Sequence, residues 1–194
     1  VLFCSDNGAH SDISSQAPHR SGKGSYFEGG IREPLVVRWP GRVAPGATCD
    51  VPVMGIDFFP TFIDAAGIVA PEGKILDGLS LLPLLTQSGV IEERSLFWHF
   101  PVYLQAYAGK ADDSHDPLFR TRPGSALRQG KWKFHEYFEE GRLELYDLEA
   151  DPGERKNVAS LYPEKTTELH QLMQAWRLEL QAPVPAQLNP VFKK

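Results

Sequence analysis

Cysteine is nearly absent from this chain. With only Cys4 and Cys49, far apart among 194 residues, a disulfide framework and a cysteine-rich zinc site are both excluded. Also missing is any apolar run near the roughly 18 residues of a membrane-spanning helix, so no membrane span is expected. A basic stripe is lacking too: 20 Lys and Arg stand interspersed with 25 Asp and Glu, for a formal charge of -5. That balance argues against generic nucleic-acid binding, while local positive charge remains available for an anionic substrate. No initiator methionine precedes Val1, which already lies inside an apolar run, and a signal peptide would lie upstream. The chain is therefore expected to be the C-terminal part of something longer. Its 42% hydrophobic and 23% charged residues are those of a soluble globular protein with a sizeable core.

The elements follow from periodicity and punctuation. Residues 1–5 read as a short buried strand and 35–39 as a second, ended by Pro40-Gly41, with a polar Gly-, Ser- and His-rich loop over 8–30 between them. Residues 57–67 carry an Asp start, an early Pro, apolar Phe58, Phe59, Phe62 and Ile63, and a Gly stop, which predicts a helix. A helical turn or two is expected within 79–85. Strands are expected at 95–100, 125–127, 132–138 and 143–148, separated by turn signals, as one small antiparallel sheet. Pro163 at a first helical position and Leu169, Leu172, Met173, Trp176 and Leu180 at helical spacing predict a helix over 163–180 packed on that sheet. Trp132, Phe134, Tyr137 and Phe138 are expected to pack against it. The Pro-rich tail from 181 is expected to be extended. The fold class is α/β: residues 1–92 as the end of a sheet domain, and 93–194 as an antiparallel sheet subdomain covered by one helix.

Chemistry concentrates near the start. Asp6-Asn7-Gly8 stands just past the carboxyl end of a strand, where ligands gather in open α/β sheets. The triplet is either turn punctuation or an oxygen half-site for a hard divalent cation. Residues 22–34, GKGSYFEGGIREP, then place Lys23 in a glycine-rich loop, a compact point charge suited to an anionic oxygen. The order and spacing of a P-loop are absent.

Five stretches in order, SDNG, GKGSYFEGGIREPLVVRWPG, IDFFPTFIDAAG, SALRQGKWKF and LELYDLEADPGERKNVA, make the chain resemble the C-terminal portion of a type I sulfatase. These are the formylglycine-dependent sulfuric ester hydrolases of the alkaline phosphatase-like superfamily. The resemblance implies that Asp6 and Asn7 are metal ligands, for Ca2+ ahead of Mg2+, and that Lys23 binds the sulfate group. It also implies that Glu28, Gly29, Gly30 and Arg32 are scaffold. A sulfated carbohydrate or an aryl sulfate is the implied substrate, and a periplasmic or secreted location the implied compartment. The family's nucleophile arises in a Cys/Ser-x-Pro-x-Arg motif, which neither Cys4-Ser5-Asp6-Asn7-Gly8 nor Cys49-Asp50-Val51-Pro52-Val53 provides. The formylglycine and the early pair of Asp ligands are therefore expected upstream, and this chain alone is expected to be inactive.

Further candidates are His10, beside Asp6, as an acid or base, and His99, Arg120 and Arg122 as substrate contacts. A solvated or merely packed role competes at each position, as it does at His19. Asp112 to Asp116 is expected to be a solvated loop rather than a metal site. Two alternatives remain open at this stage: a phosphoester or phosphonate ester hydrolase of the same superfamily, and a non-catalytic stand-alone module. The oligomeric state is not legible.

Overall fold

The computed structural model describes residues 1–10, 12–70, 72–106, 113 and 118–190, and its chain divides into two compact units. The first comprises Val1–Cys4 with Leu35–Arg94, the second Ser5–Pro34 with Ser95–Lys194.

In the first unit, β1 (Leu2–Cys4) pairs antiparallel with β2 (Leu35–Val37), Phe3 opposite Val36. The strands expected from the sequence form, but Phe3 is 66% and Val36 59% exposed, so the apolar run is not buried within the described residues. A 3-10 turn at Gly55–Asp57 leads into α2 (Phe58–Ala65), and a single helical turn, α3, follows at Leu82–Leu85. Asp57 ties these pieces together. Fully buried, its carboxylate accepts the N–H groups of Met54 (2.8 Å) and Leu79 (2.9 Å) and pairs with Arg94.

The second unit is built on a four-stranded antiparallel sheet in the order β3 (Leu96–Phe100), β6 (Gly124–Gln129), β7 (Trp132–Tyr137), β8 (Arg142–Asp147). Gly130 (φ 54°) and Gly141 (φ 62°) take the left-handed turns that close the two hairpins. Two very short strands that local patterning does not announce, β4 (Leu104–Gln105) and β5 (Phe119–Thr121), pair separately. A one-turn helix, α1 (Glu28–Ile31), interrupts the polar loop. The long helix α4 (Pro163–Glu179) has Pro163 at its start, as the sequence predicts.

Strand alternation gives the sheet two different faces. One is apolar: Leu127, Phe134 and Leu145 pack with Val158 and with Leu169 and Met173 of α4. Trp176 of the same helix stacks on Phe97 with ring centroids 4.6 Å apart, whereas Leu180 stays 57% exposed. Tyr137, expected against the helix, has the opposite parity to Phe134 and packs instead with Tyr26, Ala126 and Trp98 on the other face.

That second face is polar and yet buried. Lys133, His135 and Glu144 are each 0% exposed beneath the segment around Phe27 and Glu28. Glu28, itself 1% exposed, accepts the Lys133 ammonium at 2.9 Å and the Arg128 guanidinium at 3.2 Å. Its two oxygens thus neutralise the fully buried Lys133 ammonium and the partly buried Arg128 guanidinium, and the Lys133 partner is costly to orphan.

Two consequences can be measured. Met173→Ala removes a side chain with no exposure and is expected to lower unfolding free energy in urea by about 2–5 kcal/mol, against well under 1 kcal/mol for Leu180→Ala. Burial pulls the Glu28 carboxyl upward, but Lys133, Arg128 and Arg32 outweigh it and hold it below the ordinary 4.5. A depressed value means that the stabilisation is fully present above pH 4.5 and is lost as pH falls through the lower folded-state value. Glu28→Gln should therefore cost about 3–5 kcal/mol near neutrality. The gap in Tm between parent and variant should narrow on acidification, and a gap that stays constant down to acid pH would count against this pairing.

Candidate active site

The site is assembled by two loops of the second unit that share backbone bonds. The N–H of Gly8 donates to the carbonyl of Gly30 at 3.0 Å, and the N–H of Lys23 donates to the carbonyl of Ala9 at 3.0 Å. These bonds set Asp6 and Asn7 against the Lys23 loop, although β1 ends only two residues before Asp6. The approach requires glycine: a Cβ on Gly8 would lie 2.1 Å from the Gly29 oxygen, and one on Gly29 2.3 Å from the Arg20 oxygen. This is the physical reason for the Gly-Gly pair after Glu28.

Asp6 is exposed and Asn7 half-buried. Among the described residues, the side chains of Asp6, Asn7 and Lys23 hydrogen-bond to no other protein group. Their oxygens and ammonium are thus uncommitted, as a binding site needs. His10 follows directly and takes part in the loop turn, its Nδ1 accepting the N–H of Asp12 at 3.2 Å. Arg120 reaches the same loop from β5, donating to the carbonyls of Lys23 at 3.3 Å and Gln105 at 2.8 Å.

The other sequence candidates lie in different surroundings. Arg122 is engaged with both carboxylate oxygens of Glu140, at 2.9 and 3.0 Å. His99 is paired with the Ser125 hydroxyl and the Pro183 carbonyl, each at 2.8 Å, and burial lowers its affinity for a proton. No described hydrogen bond joins His99 to the Asp6–Lys23 group. His19 bonds the Pro152 carbonyl at 3.2 Å. Of Asp112 to Asp116 only Asp113 lies within the described residues, where it pairs with Arg155.

One contributor escaped sequence reasoning. Glu33 follows Arg32 and reads as the lead into β2, yet its Oε1 is shielded from solvent and meets no hydrogen-bond donor. Burial pushes this carboxyl up, the Ser5 hydroxyl opposes the rise, and the Asp6 carboxylate adds to it. Ser5 Oγ itself donates to the Asn7 carbonyl at 2.9 Å. The Asp6 carboxylate, which repels the neighbouring Glu33 carboxyl, and the Asn7 amide oxygen are oxygen donors of the kind a hard divalent cation takes. Two or three ligands do not fill a shell of about six to eight. No group of three metal-binding side chains occurs among the described residues.

Comparison with known proteins places the chain in a family. Residues 22–181 match the family described as N-sulphoglucosamine sulphohydrolase, C-terminal. The chain is 34% identical to human arylsulfatase A over 95% of its own length and 38% of that protein's. Among solved structures it resembles BT4656 in complex with its substrate D-glucosamine-2-N,6-O-disulfate, at 28% identity and TM-score 0.60, covering 79% of this chain and 30% of that one. It also resembles the phosphonate monoester hydrolase of Agrobacterium radiobacter, at 29% identity and TM-score 0.59, covering 81% of this chain and 31% of that one. The chain spans little more than a third of the length of the curated relatives it matches. Match and fold together identify it as a member of the N-sulphoglucosamine sulphohydrolase C-terminal family, the C-terminal portion of a sulfatase of the alkaline phosphatase-like superfamily.

Proposed function

We propose that this chain supplies part of the active site of a sulfuric ester hydrolase. Asp6 and Asn7 hold a calcium ion through a carboxylate and a carboxamide oxygen, and Lys23 binds the sulfate group. The reading is carried by the pair of backbone bonds, Gly8 to Gly30 and Lys23 to Ala9, that bring three uncommitted polar side chains onto adjoining loops. A bound cation would act as a Lewis acid toward the sulfate oxygens. The Lys23 ammonium orients the sulfate and withdraws charge from its oxygens as the ester bond breaks. Arg120, bonded to the Lys23 carbonyl, steadies that loop and adds positive charge at its edge. His10 stands close enough in sequence to serve a leaving group. The nucleophile, a formylglycine in this reading, and the remaining metal ligands belong to sequence outside these residues.

A sulfated carbohydrate is the preferred substrate, supported by the likeness to BT4656 with its disulfated glucosamine. An aryl sulfate is the second choice, supported by the likeness to arylsulfatase A. The likeness to a phosphonate monoester hydrolase favours one alternative reaction on the same machinery, since metal and lysine serve phosphoryl oxygens equally well.

In the full-length protein, Lys23→Ala or Asp6→Ala is expected to lower kcat/KM for a sulfate monoester by about 100- to 1,000-fold with the fold retained by circular dichroism. Near-parental turnover in either variant removes the role assigned to that residue. Faster turnover of a phosphonate monoester than of every sulfate ester tried would favour the alternative reaction.

A further inference from the structure

We propose that Glu154, in the distal stretch DPGE, is a positioning residue for the Lys23 loop. The inference rests on the reading of Lys23 as the sulfate ligand and extends it to a residue 131 positions away.

Glu154 is fully buried and sits at φ 51°, a left-handed conformation that favours glycine or asparagine. A glutamate kept in so unsuited a backbone position points to a need for its side chain. The carboxylate has two partners. One oxygen accepts the backbone N–H of Glu28 at 2.5 Å, and the other meets His135 Nε2 at 3.0 Å. His135 is fully enclosed, and burial keeps its imidazole neutral despite the neighbouring carboxylate. The network then assigns the proton to Nε2, which donates to Glu154, while Nδ1 accepts from the Tyr137 hydroxyl at 3.2 Å.

The backbone around Glu154 grips the same loop. Its carbonyl accepts from Arg20 at 3.1 Å, and the Arg20 carbonyl accepts the N–H of Gly29 at 3.1 Å. Arg20 also lies over the Phe27 ring at 4.2 Å. The turn itself is firm, because Asp151 Oδ2 accepts the N–H groups of Arg155 at 2.7 Å and Lys156 at 2.8 Å. Segment 20–28 is thereby fastened at both of its ends to one carboxylate-bearing turn, through the Arg20 guanidinium and the Glu28 amide, and Lys23 lies between the fastenings. Glu28 is held twice, by its side chain through Lys133 and by its amide through Glu154. Without Glu154 the first anchor remains, but the amide that begins α1 loses its acceptor and the Lys23 loop gains freedom.

The test is a double-mutant cycle in the full-length sulfatase: parent, Glu154→Ala, Lys23→Ala and the pair. Glu154→Ala is expected to lower kcat/KM for a sulfate ester by about 10- to 100-fold, as loss of an outer support does. In the Lys23→Ala background the same change should cost less than about twofold, because a positioning effect vanishes with the group positioned. If Glu154→Ala does not fold, Glu154→Asp takes its place, since it keeps the charge but falls one methylene short of the Glu28 amide. Equal losses in both backgrounds, or parental activity in the single variant, would overturn the proposal. Amide exchange provides a readout independent of Lys23's role. Lys23 and Gly29 should exchange at least tenfold faster in the Glu154 variant, with β6 to β8 unchanged, and unaltered exchange there also overturns it. Should Lys23→Ala alone leave turnover intact, the reading of Lys23 fails, and the exchange data still decide the role of Glu154.

Discussion

The structure depends on one buried carboxylate. Glu28 is 1% exposed between Lys133 and Arg128, and its amide rests on a second buried carboxylate, Glu154. A charge so placed is tolerable only if every lone pair is answered, because the desolvation cost of an unanswered one exceeds most single contributions to folding. That requirement fixes the position of residues 26–28 on the sheet. It also limits how far the Lys23 loop can wander, since the loop is tied to the same layer at Arg20 and at the Glu28 amide.

The sheet can support this layer because its two faces are specialised. The face toward α4 is a conventional apolar core of Leu127, Phe134, Leu145, Leu169 and Met173, and it supplies the hydrophobic stabilisation. The other face holds alternating residues of the same strands, Lys133, His135 and Tyr137, in a polar network that is expensive to bury and specific in geometry. Rigidity on that side suits the proposed site, in which the Lys23 ammonium and the oxygens of Asp6 and Asn7 must keep defined places. Glycine completes the arrangement at Gly8 and Gly29, where only a missing Cβ lets the Asp6–Gly8 segment and the loop around Arg20 come together with Gly29.

Much of the fold was legible in the sequence. Pro163 and the spacing of Leu169 and Met173 marked α4, and period-two patterning marked β3, β6, β7 and β8. What stayed hidden was the polar face. Polar residues alternating with apolar ones normally mean a solvated side, and nothing local tells that Lys133 and His135 are covered by residues more than a hundred positions earlier. Tyr137 was placed against α4 for the same reason, its parity being obscured among neighbouring aromatics. At the proposed site, Asp6, Asn7 and Lys23 stand out in the sequence as motif residues. Glu33 and Glu154 were not, because an orphaned oxygen and a left-handed φ are properties of the folded chain. Strands of two or three residues, such as β4 and β5, carry too little periodicity to be read.

The account stands most directly on the convergence of Asp6, Asn7 and Lys23 at one ligand. The decisive measurement is a crystal structure of the full-length protein with calcium and a non-hydrolysable sulfate ester analogue bound. The account predicts a cation about 2.3–2.6 Å from oxygens of both Asp6 and Asn7, Lys23 Nζ within hydrogen-bond reach of a sulfate oxygen, and Glu28 still paired with Lys133. A cation held by other residues, or Lys23 turned to solvent while the analogue is bound, would contradict it.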